Sequence, residues 1–343
     1  MRTTTTLSTT RQATLVDVAL LAQVSRQTVS NVVNAPQRVA APTRARVQAA
    51  IDTLNYRPHR LARNLRTRTS RMLGYRVPTT APEAIDPLLD RFLHALTDAA
   101  RVAGYHVLLF TPDEGQDEVT AHTDLVATGT VDGFVLAETN YDDPRAVYLA
   151  EAGVPFVAFG RTGCPVPHDW VDVDGAAGTQ AAVARLAAAG HQRIAFLGWP
   201  AGSASGDQRA QGWRQGLEMA GLPVDDDLLV RGSDARSAGA AGTAALLGRA
   251  KPPSAIIAVS DLLALGALAA ARVRGLAVGR DLAVVGFDDS PVAALVEPPL
   301  TSVRQPIEDV GRHIVALLTS RLAGRQEPTG VLLAPRLIIR RSA

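Results

Sequence analysis

The stretch TLVDVALLAQVSRQTVSNVVN, residues 14–34, decides how this chain is interpreted. Its apolar residues recur at helical spacing up to Ala22, and Gln23-Val24-Ser25 then interrupts the pattern. A second helix is predicted from Arg26 to Val33, with Ser25 as its N-cap. Two short helices joined by a tight turn form the arrangement with which many proteins read DNA.

The second helix has two faces of different character. Val29, Val32 and Val33 are spaced to pack back on the first helix, which leaves a polar face opposite them. Arginine suits the two acceptors of guanine, whereas glutamine and asparagine suit adenine, and each bidentate contact discriminates by roughly 1–3 kcal/mol. An ordinary helix pair with a solvated polar face has the same local pattern. The candidate DNA contacts are Thr14, Ser25, Arg26, Gln27, Thr28, Ser30, Asn31 and Asn34.

The distribution of charge favours DNA binding. Residues 1–71 contain 12 Arg against two Asp, a net charge of +10, so the remaining residues carry −8 of the chain's total of +2. A basic head on an acidic body is typical of a nucleic-acid-binding module attached to a second function. A membrane surface would also attract a basic head, but this head lacks Lys and broadly amphipathic helices.

Composition indicates a globular protein. The chain has 343 residues, 47% hydrophobic and 20% charged, which suits two or three domains. Residues 1–12 are expected to form a disordered tail, and they resemble neither a secretory signal nor an anchor. No apolar run is long enough to span a membrane, so a cytoplasmic location is expected. Cys164 is the single cysteine, which excludes an internal disulfide and a cysteine-built zinc site, and no cofactor is expected.

A third helix, predicted over 42–54, completes a three-helix DNA-binding domain over 13–58. The segment 59–71 begins a further helix after Pro58 and is rich in arginine. Such a short basic helix is not stable alone, because nucleation is costly and like charges repel. It is expected to fold as a hinge when phosphates neutralise it.

From Met72 onward, short apolar runs such as YHVLLF, RIAFLGW and LAVVGF alternate with helical patterns. Alternating strands and helices predict an α/β body with doubly wound parallel sheets, covered on both faces. About 270 residues make a single sheet overlong, so two lobes are expected. A ligand then belongs in the cleft outside the carboxyl ends of the strands.

The motifs TLVDVA, VSRQTVSNVVN and TRARVQAAIDTLNYRP resemble the lactose/galactose repressor family of transcriptional regulators. The resemblance implies that the hinge pairs with that of a second subunit in the minor groove, where Leu65 wedges between base steps. Two positions depart from the family: Gln23 replaces the usual Gly of the turn, and His59 replaces the usual Asn. The hinge contacts that the resemblance implies are His59, Ala62, Arg63 and Leu65.

The body resembles the same family through VDVDGAAG, GHQRIAFLG, SDLLALGALAA and GFDDSPVAALVEPPLTSVRQP. This implies a body like a periplasmic sugar-binding protein, with an N-lobe over about 72–170 and 301–328 and a C-lobe over about 171–300 and 329–343. It places Arg209 and Asp288 where relatives grip sugar hydroxyls, as a guanidinium and a carboxylate each make two charge-assisted hydrogen bonds. Further candidate ligand contacts are Asp86, Arg161, Trp170, Asp234 and Ser260.

Alternatives remain open at several of these positions. Asp174 and Asp261 fit helix caps as well as ligand contacts. Trp170 and Trp199 are candidates for stacking on a sugar ring or for packing between the lobes. The sequence therefore leaves the cleft's aromatic contacts undecided.

Enzymatic motifs for dinucleotides, phosphate loops, nucleophile elbows and zinc hydrolases are absent from the sequence. The favoured interpretation is a homodimeric repressor that binds a pseudopalindromic operator and is released by a sugar or short oligosaccharide between its lobes. The alternative is a sugar-binding receptor or sugar-metabolising enzyme with an appended DNA-binding head. A dimer is expected because no leucine heptads follow LIIRRSA.

Overall fold

The structure is a computed structural model that describes residues 13–57, 69–77, 87–113 and 115–343. The chain divides into two compact units, one ending at Ser70 and the other beginning at Arg71. Several sequence predictions lie outside the described residues: the tail over 1–12 and the contacts His59, Ala62, Arg63, Leu65 and Asp86.

The first unit contains three helices around a small apolar core. Val18, Val29 and Val47 are fully buried there, one from each helix, whereas Val33 is only half-buried. The predicted helix bounds agree with the observed ones to within one residue. The helices are α1 (Leu15–Ala22), α2 (Arg26–Asn34) and α3 (Ala41–Thr53), with a 3-10 turn at Pro36–Arg38.

Side-chain caps begin the first two helices. The Asp17 amide donates to Thr14 Oγ1 (3.4 Å), and the Thr14 amide donates to Asp17 Oδ2 (2.7 Å), which forms a reciprocal capping box. The Thr28 amide donates to Ser25 Oγ (3.1 Å), so Ser25 caps α2 as predicted. These caps satisfy backbone donors that the first turn of a helix leaves without partners.

The backbone conformation at Gln23 is one that favours glycine. Its backbone is left-handed, with φ 52° and ψ 49°, and its amide closes α1 by donating to the Leu20 carbonyl oxygen (3.2 Å). A side chain in this conformation brings Cβ close to the carbonyl oxygen, which costs roughly 1–2 kcal/mol relative to a right-handed residue. The turn therefore keeps its geometry here at the expense of local strain.

We expect Gln23→Gly to stabilise the helical unit by about 1 kcal/mol, because glycine adopts the left-handed conformation without a Cβ clash. Native-state hydrogen exchange of the α1 and α2 amides in the full chain measures this gain. Gln23→Ala is the control, since it retains Cβ and should give no comparable protection. Equal protection in both variants would show that the Gln23 backbone is not strained.

Two six-stranded sheets form the second unit. The first has the order β11-β5-β4-β3-β1-β2 and is entirely parallel, and the second has the order β12-β10-β9-β8-β6-β7, in which only β12 is antiparallel. The strands are β1 (Met72–Arg76), β2 (His106–Phe110), β3 (Gly133–Leu136), β4 (Phe156–Phe159), β5 (Asp169–Val173), β6 (Ile194–Gly198), β7 (Leu229–Arg231), β8 (Ala255–Ala258), β9 (Ala283–Asp288), β10 (Thr301–Arg304), β11 (Gly330–Leu333) and β12 (Arg336–Ile338).

Helices alternate with these strands, as the sequence predicts. They include an α4–α12 pair that packs beside the first sheet and an α9–α10 pair beside the second. The helices are α4 (Pro87–Val102), α5 (Glu118–Ala127), α6 (Pro144–Glu151), α7 (Gly175–Ala188), α8 (Ala204–Met219), α9 (Arg236–Leu247), α10 (Asp261–Val273), α11 (Pro291–Leu295) and α12 (Ile307–Leu322), with a 3-10 turn at Asp226–Leu228.

The chain crosses between the lobes three times, after β5, β10 and β11. These crossings correct the predicted lobe bounds, which assigned residues 301–328 to the N-lobe and 329–343 to the C-lobe. Thr301–Arg304 pairs with β9 in the C-lobe, whereas Gly330–Leu333 pairs with β5 in the N-lobe. Both strands lie next to a crossing, so their lobe depends on strand pairing rather than on position along the chain.

Each sheet has a topological switch point. In the N-lobe β1 lies between β2 and β3, and in the C-lobe β6 lies between β7 and β8. Crossover helices diverge from these strands in opposite directions, which opens a crevice at the carboxyl ends. Among the described residues, no helix is both long and apolar enough to cross a bilayer.

Candidate functional site

A cleft of about 360 Å³ opens where the carboxyl ends of strands from both lobes meet. Most of its apolar side chains come from the N-lobe, whereas its charged and hydroxyl groups come from both lobes. The lining residues are Tyr75, Leu88, Leu89, Phe92, Ala137, Glu138, Thr139, Asn140, Phe159, Gly160, Asp172, Val173, Trp199, Ser203, Ser205, Arg209, Asp234 and Gln305.

Arg209 is the buried cation of the cleft. It lies on α8, is 6% exposed, and donates from Nη1 to the Val259 carbonyl oxygen (2.6 Å). Its Nε is buried and has no hydrogen-bond partner among the described residues. Burial lowers the pKa of Arg209, and the carboxylates of Asp288 and Asp172 oppose that shift. Arg209 therefore lines the cleft with a guanidinium whose donors are not all used by the described residues.

Asp288, predicted as a ligand contact, does not line the cleft and lies behind Arg209. Its Oδ1 is 3.8 Å from Arg209 Nη1 and accepts a hydrogen bond from Gln305 Nε2 (2.7 Å). Its backbone has φ 105°, and the following Asp289 has φ 49°, both in the left-handed half of conformational space. Consecutive non-glycine residues with such backbones are costly and persist where surrounding structure imposes them, which is common at binding sites.

The adjacent carboxylates of Asp288 and Asp289 have different partners. Asp289 pairs with Arg304 (2.6 Å) and Arg340 (2.7 Å) on the far side of the strand end. Burial raises the pKa of Asp288 to about 8, although Arg209 acts in the opposite direction. A carboxyl of this kind donates a hydrogen bond when protonated and accepts two when ionised.

The pKa of Asp288 predicts how stability depends on pH. It is about 8 in the folded protein against a usual 3.8, so the folded state holds a proton that the unfolded chain has lost. The free energy of unfolding should fall between these two pH values, by at most about 1.4 kcal/mol per pH unit, and level off above pH 8.

Urea unfolding of the ligand-free protein at several pH values from 5 to 9 measures this slope. Asp288→Asn should flatten the slope, because the amide does not titrate. Asp90→Asn, at a carboxylate 74% exposed on α4, is the control and should leave the slope unchanged. Identical slopes in wild type and Asp288→Asn would mean that Asp288 is ionised throughout.

Asp234 and Ser260 form one unit. Asp234 lines the cleft, and Ser260 Oγ donates to Asp234 Oδ1 (2.5 Å). Ser260 itself is buried, caps α10 by accepting from the Leu263 amide (3.3 Å), and does not line the cleft. Its position is therefore behind Asp234, which it orients.

Arg161 and Trp170 do not line the cleft, contrary to the sequence expectation. The guanidinium of Arg161 is already occupied, since Nε donates to Asp172 Oδ2 (2.9 Å) and Nη2 donates to Gln208 Oε1 (2.7 Å) in the other lobe. Trp170 lies on β5 beside Gly330 of the edge strand, with Arg161 over its ring at 6.0 Å. These two side chains therefore contact other protein groups near the cleft and are not part of its surface.

Asp174 and Asp261, for which the sequence allowed either a helix cap or a ligand contact, both bind other protein groups. Asp174 accepts from the Ala177 amide (2.9 Å) and caps α7. Asp261 is buried and accepts from Ser290 and Ser302, and neither acid lines the cleft. Asp174 is therefore a helix cap, and Asp261 is part of a buried hydrogen-bond network.

Sequence reasoning missed Asp172 and Gln305. Asp172 is buried at the end of β5, lines the cleft, and has a pKa raised by burial. Gln305 is buried on the second crossing and holds Asp288. The strand end VDVD was a usable signal for Asp172, but Gln305 depends on the crossing of the chain between lobes.

The polar face of α2 is accessible in the first unit. Arg26 and Gln27 are exposed, and Gln27 Nε2 donates to Asn31 Oδ1 (3.1 Å). Asn34 Nδ2 donates to the Ser30 carbonyl oxygen (2.8 Å), and the hydroxyls of Ser25 and Thr28 are 2.9 Å apart. Thr14 is engaged in the capping box, so its hydroxyl already has a partner.

Comparison with known proteins identifies the chain's relatives. A family model described as bacterial regulatory proteins, lacI family, matches residues 14–59, and one described as periplasmic binding protein-like domain matches residues 183–343. The chain is 38% identical over 337 residues to the HTH-type transcriptional regulator CelR of Thermobifida fusca, covering 97% of this chain and 98% of the relative. It is 31% identical to the HTH-type transcriptional repressor CytR of Escherichia coli (strain K12), covering 96% of each chain.

Two solved structures are similar along the whole chain. One, a complex of the transcriptional regulator CelR with cellobiose, has 36% identity and a TM-score of 0.75, covering 96% of this chain and 100% of its own. The other, a lac repressor dimer bound to operator and the anti-inducer ONPF, has 31% identity and a TM-score of 0.83, covering 97% and 99%. The relatives are regulators, which gives no support to an enzyme with an appended head. This chain belongs to the lacI family of bacterial regulatory proteins and is a transcriptional regulator.

Proposed function

We propose that this protein is a homodimeric repressor that binds a pseudopalindromic operator in the cytoplasm and is released by a neutral sugar bound between its lobes. DNA contacts come from the polar face of α2 and from the hinge over 59–71. The observation that carries the ligand proposal is the buried guanidinium of Arg209 facing the cleft with Asp288 behind it.

The chemistry of the cleft favours an uncharged polyol. Carboxyl groups of Glu138, Asp172 and Asp234 line the cleft beside its one cation, Arg209, so an anionic ligand would meet more acidic than basic groups. Hydroxyl groups, in contrast, both donate to carboxylates and accept from the guanidinium. Apolar side chains of the N-lobe, including Leu88 and Phe92, suit the less polar face of a sugar ring.

Size narrows the choice. A cavity of about 360 Å³ lies near the lower end of the range of small-molecule sites, roughly 300–1,000 Å³, which suits a mono- or disaccharide. Because the relative CelR has been solved with cellobiose, cellobiose is the first candidate.

Release from DNA follows from coupling between sites. A sugar that contacts both lobes favours one angle between them, and in a dimer that angle decides whether two hinge helices pair at the operator centre. The sugar shifts this balance only by its differential affinity for the two states.

The test begins with selection of a binding site from a random duplex library by the full-length protein. Fluorescence anisotropy with that duplex then follows dissociation as cellobiose, maltose, lactose, sucrose, glucose and glucose 6-phosphate are added in turn. We expect a neutral sugar to release the duplex and glucose 6-phosphate to have no effect. Release by the phosphorylated sugar alone would contradict the proposed cleft chemistry, and failure to select any site would contradict the repressor function.

A further inference from the structure

One aromatic contact in the cleft has no role in the function described so far. The guanidinium of Arg209 lies over two rings, that of Phe287 at 3.7 Å and that of Trp199 at 5.1 Å from its carbon to the ring centroid. Phe287 is 1% exposed in the C-lobe core, whereas Trp199 is half-buried and lines the cleft. Trp199 is therefore the part of this arrangement that borders the ligand's space.

The backbone of Trp199 is held in place from outside the cleft. The residue follows β6 directly, and its carbonyl oxygen accepts a hydrogen bond from Arg231 Nη1 (2.9 Å). A Cβ added at Gly206, in the first turn of α8, would lie 3.2 Å from Trp199 Cε3. The indole is thus seated against the same helix that carries Arg209, and its position depends on a small residue below it.

Arg209 needs such a neighbour because few protein acceptors hold its guanidinium. Nη1 makes one hydrogen bond to Val259, Nε makes none with the described residues, and the nearest carboxylate oxygen is 3.8 Å away. A buried guanidinium with so few hydrogen-bond partners is desolvated, so its orientation depends on the two rings that pack against it. Aromatic faces attract a cation without using its N–H donors, which stay available to a ligand.

We propose that Trp199 is a positioning residue for effector binding: its indole face holds the Arg209 guanidinium toward the cleft. The inference rests on the proposed sugar site. The indole contacts Arg209 and also borders the ligand's space, so this role adds to the stacking and packing alternatives that the sequence left open for Trp199.

Two substitutions separate the aromatic face from simple bulk. Trp199→Phe keeps a ring beside Arg209, whereas Trp199→Leu fills space without one. Isothermal titration calorimetry of the full-length protein with the sugars named above measures the sugar affinity of each variant. We expect the affinity of Trp199→Phe to lie within about threefold of wild type and that of Trp199→Leu to be roughly tenfold weaker, which is the size of one desolvated cation–π contact. Melting temperature and affinity for the selected duplex should be the same in both variants.

Trp170→Leu is the matched control, because Trp170 also lies beside an arginine but outside the cleft lining. Its sugar affinity should match wild type. Wild-type affinity in Trp199→Leu, or equal losses in Trp199→Leu and Trp199→Phe, would overturn the positioning role while leaving the sugar site in place. If wild type binds none of the sugars, the proposed effector is wrong and this inference falls with it.

Discussion

Arg209→Ala should abolish the response to sugar while leaving operator binding intact. The substitution removes the only buried cation among the described residues of the cleft lining, together with its hydrogen-bond donors. Losing a buried charged partner costs about 2–5 kcal/mol, which corresponds to a loss of affinity of roughly 30-fold to several thousandfold. The proposed operator contacts lie outside the cleft, on α2 and in the hinge over 59–71, so the duplex should bind as before.

Calorimetry with the sugar that binds wild type, and anisotropy with the selected duplex, measure the two sides of this prediction. Arg214→Ala is the control, because Arg214 lies on the same helix but pairs with exposed Asp226 at 2.6 Å. That variant should keep both activities. Normal release of DNA by sugar in Arg209→Ala would remove Arg209 from the site.

The second large effect is expected on the polar face of α2. Gln27→Ala should weaken specific operator binding by about 1–3 kcal/mol, or roughly 5- to 150-fold, because it removes the bidentate base contact that we propose for this side chain. Nonspecific binding should change little, since phosphate contacts supply it. Gln27 is exposed and already oriented by its hydrogen bond to Asn31.

The hydrogen bond between Gln27 and Asn31 predicts that the effects of substituting them are coupled. The double variant Gln27→Ala/Asn31→Ala should lose less than the sum of the two single losses, because residues in one network are not additive. Gln48→Ala on α3 provides the control, as Gln48 is also an exposed amide bonded to a residue four positions on, Asp52. Equal losses on specific and random duplexes would show that Gln27 does not read bases.

Local sequence patterns predicted the helical unit well. Its helices depend on apolar spacing and on short-range caps, both of which are contained within a few neighbouring residues. Gln23 shows the limit: the departure from glycine was visible, but only the backbone angles identified a left-handed residue.

The pairing of the strands was harder to predict from the sequence. Apolar runs such as those of β2, β6 and β9 were predicted, whereas β5, β7, β10, β11 and β12 were not; all of these but β7 lie beside a lobe crossing. Their pairing partners are distant in sequence, so no local window contains the information that assigns them to a lobe.

The sequence by itself determined the basic head and the alternating body, and its resemblance to a known family implied Arg209 and Asp288 as site candidates. The tertiary structure decided which polar groups face the cleft. Arg161 and Ser260 are turned to protein partners, whereas Asp172 and Gln305 reach the cleft. The physical reason is that a polar side chain's role depends on which hydrogen-bond partners surround it, and those partners come from strands and crossings far apart along the chain.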